Sequence, residues 1–182
     1  DLSLKKLTEF PFKFGIIKGD FNCSNNNVMS LKNCPEEING SFNCAGNYLT
    51  NLRFFPKVIG GGFNCSSNYL NSLKYCQKVI NGDFNCSVNE LSNLEHCPRE
   101  INGDFYCENN KLKKELLCLF NSNVKGNIES DFRNKDNFLN EVKKQKSLKE
   151  KEELNEIMDS KKHANDPSLV YAEEADRIYK SI

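Results

Sequence analysis

The chain has 182 residues, and its 25 basic and 25 acidic side chains cancel to a formal net charge of zero. Such a length is one domain with room for an appendage, and the balanced charge gives no global field toward nucleic acid or anionic lipid. No apolar run approaches the ~20 residues of a membrane-spanning helix, and no signal-peptide pattern opens the sequence.

Residues 1–16 read as an N-terminal cap. Phe10-Pro-Phe12-Lys-Phe14 alternates like a half-buried strand, and Leu4-x-x-Leu7-x-x-Phe10-Pro11 has the form of half a degenerate repeat. The full repeat occupies residues 17–121. Phe recurs at 21, 42, 63, 84 and 105, with Ile four places before it, Gly two places before, Cys two places after and Asn five places after. A fixed period of this size means stacked supersecondary units that share one elongated core. In each unit Phe-x-Cys puts two apolar side chains on one face of a strand. The Asn-Gly ahead of it reads as a turn, because both residues tolerate positive φ. The later Asn (26, 47, 68, 89, 110) leaves the strand, where its amide can bond backbone groups of its own coil and the next.

Against the template Leu-x-x-Leu-x-Leu-x-x-Asn-x-Leu, the segment Phe42-Asn43-Cys44-Ala45-Gly46-Asn47-Tyr48-Leu49 fits from the fourth position onward. Leu52 and Phe55-Pro56 continue it as a Leu-x-x-Leu-Pro extension, while the template's first Leu is displaced by one place to Ile. The repeat resembles the leucine-rich repeat family, in a short variant with Phe and Cys on the strand, as in bacterial and phage proteins. The resemblance implies an α/β-type solenoid of about five 21-residue coils, with a short parallel β-sheet on the concave face and a C-terminal helical extension. It also implies work as an inhibitor or adaptor, with a structural module of a larger assembly as the alternative.

Five of the nine Cys share the Phe+2 column, and four (34, 76, 97, 118) share the Phe+13 column, where Phe55 takes the remaining place. A position that accepts Cys or Phe is an apolar core position. These thiols read as reduced, which favours a cytoplasmic setting. With no Cys-x-x-Cys pair and two His, neither zinc nor another cofactor is expected.

The run Leu112-x-x-x-Leu116-Leu117-Cys-Leu119-Phe120 looks helical and suited to closing the stack, and Asn121–Gly126 then breaks the chain. Residues 122–182 read as a C-terminal helical extension. Phe132, Leu139 and Val142 form one apolar stripe, Leu154 and Met158 another, and Asp166-Pro167 starts a last helix over 168–181.

Catalysis is not expected. Gly60-Gly-Gly62 lacks the Gly-Lys-Ser/Thr of a phosphate loop, and no Cys-His or Ser-His arrangement recurs. Nucleic-acid binding is not expected either, since Lys18 is the one basic residue near the strand face. Recognition of another protein remains, with self-association left open. Three outward columns cross the coils: Asp20, Ser41, Gly62, Asp83, Asp104; then Asn22, Asn43, Asn64, Asn85, Tyr106; then Ser24, Ala45, Ser66, Ser87, Glu108. Acidity and the one aromatic gather in the last two coils. Tyr106, Glu108, Asp104, Asp83 and Asn85 are therefore the candidate contacts, joined by Tyr48 and Tyr69 beyond the Asn ladder, with the C-terminal helices adding surface.

Overall fold

The computed structural model describes residues 1–132 and 134–164, with side chains as far as residue 160. The helix expected over 168–181 lies outside the described residues. The chain divides into two compact units, Asp1–Gln145 and Lys146–Ile182.

The first unit is a parallel-strand solenoid with the 21-residue step of the repeat. Each coil carries two short strands where the template led us to expect one. The Ile column forms β1 (Ile16–Ile17), β3 (Glu37–Ile38), β5 (Val58–Ile59), β7 (Val79–Ile80), β9 (Glu100–Ile101) and β11 (Asn123–Val124). The Phe column forms β2 (Phe21–Asn22), β4 (Phe42–Asn43), β6 (Phe63–Asn64), β8 (Phe84–Asn85), β10 (Phe105–Tyr106) and β12 (Ile128–Glu129). The Phe strands make one six-stranded sheet, in order β12-β10-β8-β6-β4-β2. Phe pairs with Phe at every step until Phe105 meets Ile128. In-register parallel pairing puts identical side chains above one another. The rings of Phe42, Phe63, Phe84 and Phe105 accordingly stack at 5.5–5.7 Å between centroids. The Ile, Phe, Phe+2 Cys and Leu columns are buried along the coils.

The ladders run past residue 121. Val124-Lys-Gly126-Asn-Ile128 rewrites Ile-x-Gly-x-Phe one coil after Ile101–Phe105, at an offset of 23 residues. A 3-10 helix, Lys114–Leu119, lies in this longer coil. The apolar run 112–120 thus lies inside the stack: Leu117 and Phe120 are buried, and Phe120 stacks on Phe105 at 5.8 Å. The segment expected to break the chain, Asn121–Gly126, carries β11, and β12 follows directly after it.

The Asn ladder forms as the spacing predicts. Asn68 Nδ2 donates to the Cys44 carbonyl of the preceding coil and to Cys65 and Ser66 of its own, while Oδ1 accepts the Leu49 N–H at 2.9 Å. Each such amide closes a buried turn whose open polar groups would otherwise cost ~1–3 kcal/mol apiece.

The glycines before the strands serve another purpose than positive φ. Among the glycines only Gly46 is left-handed. At Gly103 a Cβ would run into the Asp83 carboxylate and the backbone of Gly82 and Asp83, so the residue is Gly because the previous coil comes so close. Positive φ falls instead on the position before the ladder Asn: Asn25, Gly46, Ser67, Val88 and Asn109.

The Ile ladder is two three-stranded sheets, β1-β3-β5 and β11-β9-β7. Gln77 separates them. It stands where other coils have Pro35, Pro56 and Pro98, and its side-chain amide takes the place of a strand partner. Its Oε1 accepts the Ile59 N–H at 3.0 Å, and its Nε2 donates to the carbonyls of Ile59 at 3.2 Å and Val79 at 2.7 Å.

At the front, Leu2 and Leu4 donate backbone N–H groups to Asn22 and Ser24, and Leu7 donates to Asn26 Oδ1. Leu7 and Phe10 thereby take the places 21 residues before Val28 and Leu31, the half repeat expected there. Phe10 is buried and Phe12 exposed, but residues 10–14 form no strand.

Among the described residues one α-helix, α1 (Lys135–Ala164), follows the solenoid. Phe138 and Val142 are buried, with Phe132 and Leu139 packed partly against the core. In the second unit Leu154, Ile157 and Met158 are exposed, so the second apolar stripe meets solvent. Among the described residues no helix is long and apolar enough to cross a membrane.

Candidate functional site

Alternation along the Phe strands turns Phe and Cys inward and the residue between them outward. From coil one to four that residue is Asn, and its Oδ1 accepts the N–H two places on, as Asn85 does from Ser87 at 3.0 Å. The Asn column is therefore tied to its own turn. The preceding column stitches coils together. Asp20 Oδ1 accepts the Ser41 N–H, Ser41 Oγ that of Gly62, Asp83 Oδ1 that of Asp104, and Asp104 Oδ1 that of Asn127, all at 2.7–3.1 Å. Asp83 and Asp104 thus have a structural duty as well as an exposed charge.

The pattern changes at Tyr106. Its strand partners are Asn85 on one side and Glu129 on the other, and its hydroxyl donates to Asp104 Oδ2 at 3.2 Å. Burial of the ring raises the phenol pKa. The hydrogen bond to Asp104 and the charges of Asp104, Asp83 and Glu129 act in the same direction. Tyr106 is consequently a neutral donor set among carboxylates. It borders a depression of about 500 Å³ along the strand face, shared with Asn43, Asn64, Asp83 and Asn85. A neighbouring depression of about 700 Å³ is lined by Glu108, Glu129, Asn134, Lys135 and Asp136. Among the described residues the buried Glu108 Oε2 has no hydrogen-bond partner. Lys135 is spent locally: its Nζ donates to the carbonyls of Val124 and Gly126.

Five of the seven predicted contacts thus share one face, at its acidic end. Tyr48 and Tyr69 do not join them. Their exposed rings stack on each other at 5.9 Å beside the Asn ladder, in a column continued by the ion pair of Glu90 with Lys111. They border a different depression. Glu129 and Asp131 escaped the sequence reading because the sixth coil did; the signal was Val124-x-Gly126-x-Ile128.

Nine free thiols are present. Burial pushes those of Cys23 and Cys97 up to about 12, and raises those of Cys44, Cys65, Cys86 and Cys107 well above the ordinary value. Such thiols are poor nucleophiles and poor metal ligands. Among the described residues no group of three or more His, Cys, Asp or Glu is placed to hold a metal ion.

Comparison with protein-family models, curated proteins and solved structures returned no match.

Proposed function

We propose that the chain is a non-catalytic recognition module of leucine-rich-repeat type, which holds another protein against the acidic end of its strand face. The observation that carries this reading is Tyr106, a half-buried aromatic between Asn85 and Glu129 and hydrogen-bonded to Asp104, on a sheet otherwise faced with small polar residues. A rigid ring beside carboxylates offers a partner both apolar area and orientation of basic groups. The family resemblance supports an inhibitor or adaptor acting in the cytoplasm, of phage or bacterial origin.

Affinity capture from source cells with the parent, Tyr106→Ala and Asn43→Ala chains tests it. One stoichiometric protein should be retained by the parent and by Asn43→Ala. Tyr106→Ala should weaken binding by ~2 kcal/mol, a hot-spot magnitude. Retention by Tyr106→Ala together with loss in Tyr48→Ala or Tyr69→Ala would move the site to the tyrosine edge.

A further inference from the structure

Coils two and three repeat one exposed pattern beside the Ile ladder. Coil two presents Arg53, Phe54, Lys57 and Val58, and coil three presents Lys74, Tyr75, Lys78 and Val79 at the same places. All eight side chains are exposed. Val58 opens β5 and Val79 opens β7, the strands on either side of the break at Gln77.

The two aromatic positions are strained ones. Each is the third residue of a turn, closed by the Phe55 N–H on the Leu52 carbonyl and by the Cys76 N–H on that of Leu73. There φ is +65 at Phe54 and +78 at Tyr75, a region that suits Asn, as at Asn33 in coil one, and strains a bulky side chain. Packing does not offset the strain, since both residues are about half exposed or more. What lies over each ring is a cation of its own turn: Arg53 is 6.0 Å from the Phe54 centroid and Lys74 Nζ 5.5 Å from that of Tyr75.

Charge specifies what these rings meet. On this edge coils two and three carry Arg53, Lys57, Lys74 and Lys78 and no acid. Among the described residues only Lys57 of the four has an acidic partner, Glu36 at 3.4 Å. The acids return on both sides. Glu36 and Glu37 hold the places of Lys57 and Val58 in coil one, and Glu95 and Glu100 those of Lys74 and Val79 in coil four. The cationic patch is thus two coils wide, ~10 Å. A phosphate backbone or a lipid surface would run on into these glutamates, whereas a short acidic segment ends within the patch.

We infer that the edge formed by residues 53–58 and 74–79 receives an acidic segment of a partner protein that also carries apolar side chains. Its carboxylates meet Arg53, Lys74 and Lys78. An apolar side chain enters a depression of about 360 Å³ that Phe54 and Phe55 share with Leu31 and Pro35. Tyr and Arg are among the residues that anchor interfaces. This surface shares no residue with the Tyr106 face and carries the opposite charge, so the inference goes beyond that face and does not depend on it.

The test uses the full chain and a short labelled peptide that alternates Glu with Leu, followed by fluorescence anisotropy. Saturable binding is expected, weaker at higher salt. A peptide alternating Lys with Leu should not bind, and one alternating Glu with Ser should bind about tenfold more weakly. Arg53→Glu combined with Lys74→Glu should lower affinity about tenfold or more. Phe54→Asn relaxes the turn, so its melting temperature should rise while its affinity falls about tenfold, a combination that loss of folding cannot produce. Tyr106→Ala should bind the peptide as the parent does. No saturable binding of the Glu-Leu peptide overturns the inference, as does parental affinity in Phe54→Asn or in the double charge reversal. Equal binding of the Lys-Leu or Glu-Ser peptide overturns it too. Loss of peptide binding in Tyr106→Ala would move the segment to the strand face. Tighter binding to phosphatidylserine vesicles or to oligothymidine, lost in the double charge reversal, would make a membrane or a nucleic acid the occupant instead. A chain ending at Ala164 that binds the peptide more tightly than the full chain would make residues 165–182 the occupant. Self-association without peptide, lost in the double charge reversal, would make it a second copy.

Discussion

Phe138 meets Phe120 edge to face, with ring centroids 5.0 Å apart and planes at 84°. Below Phe120 the rings lie nearly parallel back to Phe42, with interplanar angles of 9–18°. A ring turned across the end of a parallel stack sets its positive edge on the last π-face and stops the column from accepting another member. The stack that the sheet register builds is therefore closed by the first turn of α1.

Removing that ring should open the core. Phe138 is fully buried, so Phe138→Ala is expected to lower stability by ~3–5 kcal/mol, and Leu139→Ala by less because Leu139 is half-buried. Urea denaturation followed by circular dichroism would check this. Equal effects from the two substitutions would mean that Phe138 is not the closing residue.

The periodic columns were legible because burial repeats: Phe, Cys and Leu recur where side chains point inward, and the ladder Asn recurs where a turn needs donors. Phe138 was not, since a single helical apolar residue beside Leu139 gives no sign of which one faces the core. The sixth coil was hidden by three changes at once: Val for Ile, Ile for Phe, and two added residues around the 3-10 helix. Of the site, Tyr106 and Glu108 stood out as breaks in uniform columns, but Glu129 belongs to a coil whose alphabet had changed. The second ladder is not legible in the sequence, because Ile-x-Gly-x-Phe reads as a strand with its turn, whereas Ile and Phe each pair with their own column.

Gln77 gives a sharper test of that second ladder. Its amide satisfies the N–H and carbonyl of Ile59, a residue that is itself buried. Gln77→Ala should leave both groups without partners and cost ~2–4 kcal/mol. Gln77→Glu keeps the acceptor for the Ile59 N–H but turns a carboxylate toward the carbonyls of Ile59 and Val79. It should be less stable than the parent at neutral pH and recover as acid protonates the side chain. A Gln77→Ala chain as stable as the parent in thermal melts would show that the sheets close without the amide.

Val88 occupies the left-handed column at φ 54. A β-branched residue is poorly suited to that region, and its side chain, 47% exposed, offers little packing in return. Asn holds the equivalent place at 25 and 109. Val88→Asn is therefore expected to raise stability by about 1 kcal/mol, visible as a higher melting temperature, whereas Val88→Ile should not. A lower melting temperature for Val88→Asn would mean that Val88 makes contacts worth more than the strain.

The last prediction concerns alkali. Burial raises the thiols of Cys44, Cys65, Cys86 and Cys107 well above the ordinary value near 9, and that of Cys23 to about 12. In the unfolded chain these thiols lose their protons from about pH 8.5 upward. Between that pH and the folded pKa the native state holds more protons than the unfolded state, so stability falls as pH rises. Each such thiol removes about 1.4 kcal/mol per pH unit. Four fully buried thiols together remove about 5–6 kcal/mol per unit, comparable with the whole net stability of a domain, ~5–15 kcal/mol. Stability should show little change from pH 7 to 8.5 and then collapse over the next one to two units, roughly. In native protein below pH 8.5 the five buried Phe+2 thiols should resist thiol reagents while the partly exposed Cys118 reacts, and unfolded protein should titrate all nine. Combining Cys44→Ala and Cys86→Ala should flatten the alkaline slope by about 2.7 kcal/mol per unit, even though it lowers stability at pH 7. A chain whose melting temperature stays constant to pH 11 would show that these thiols are not buried in the folded state.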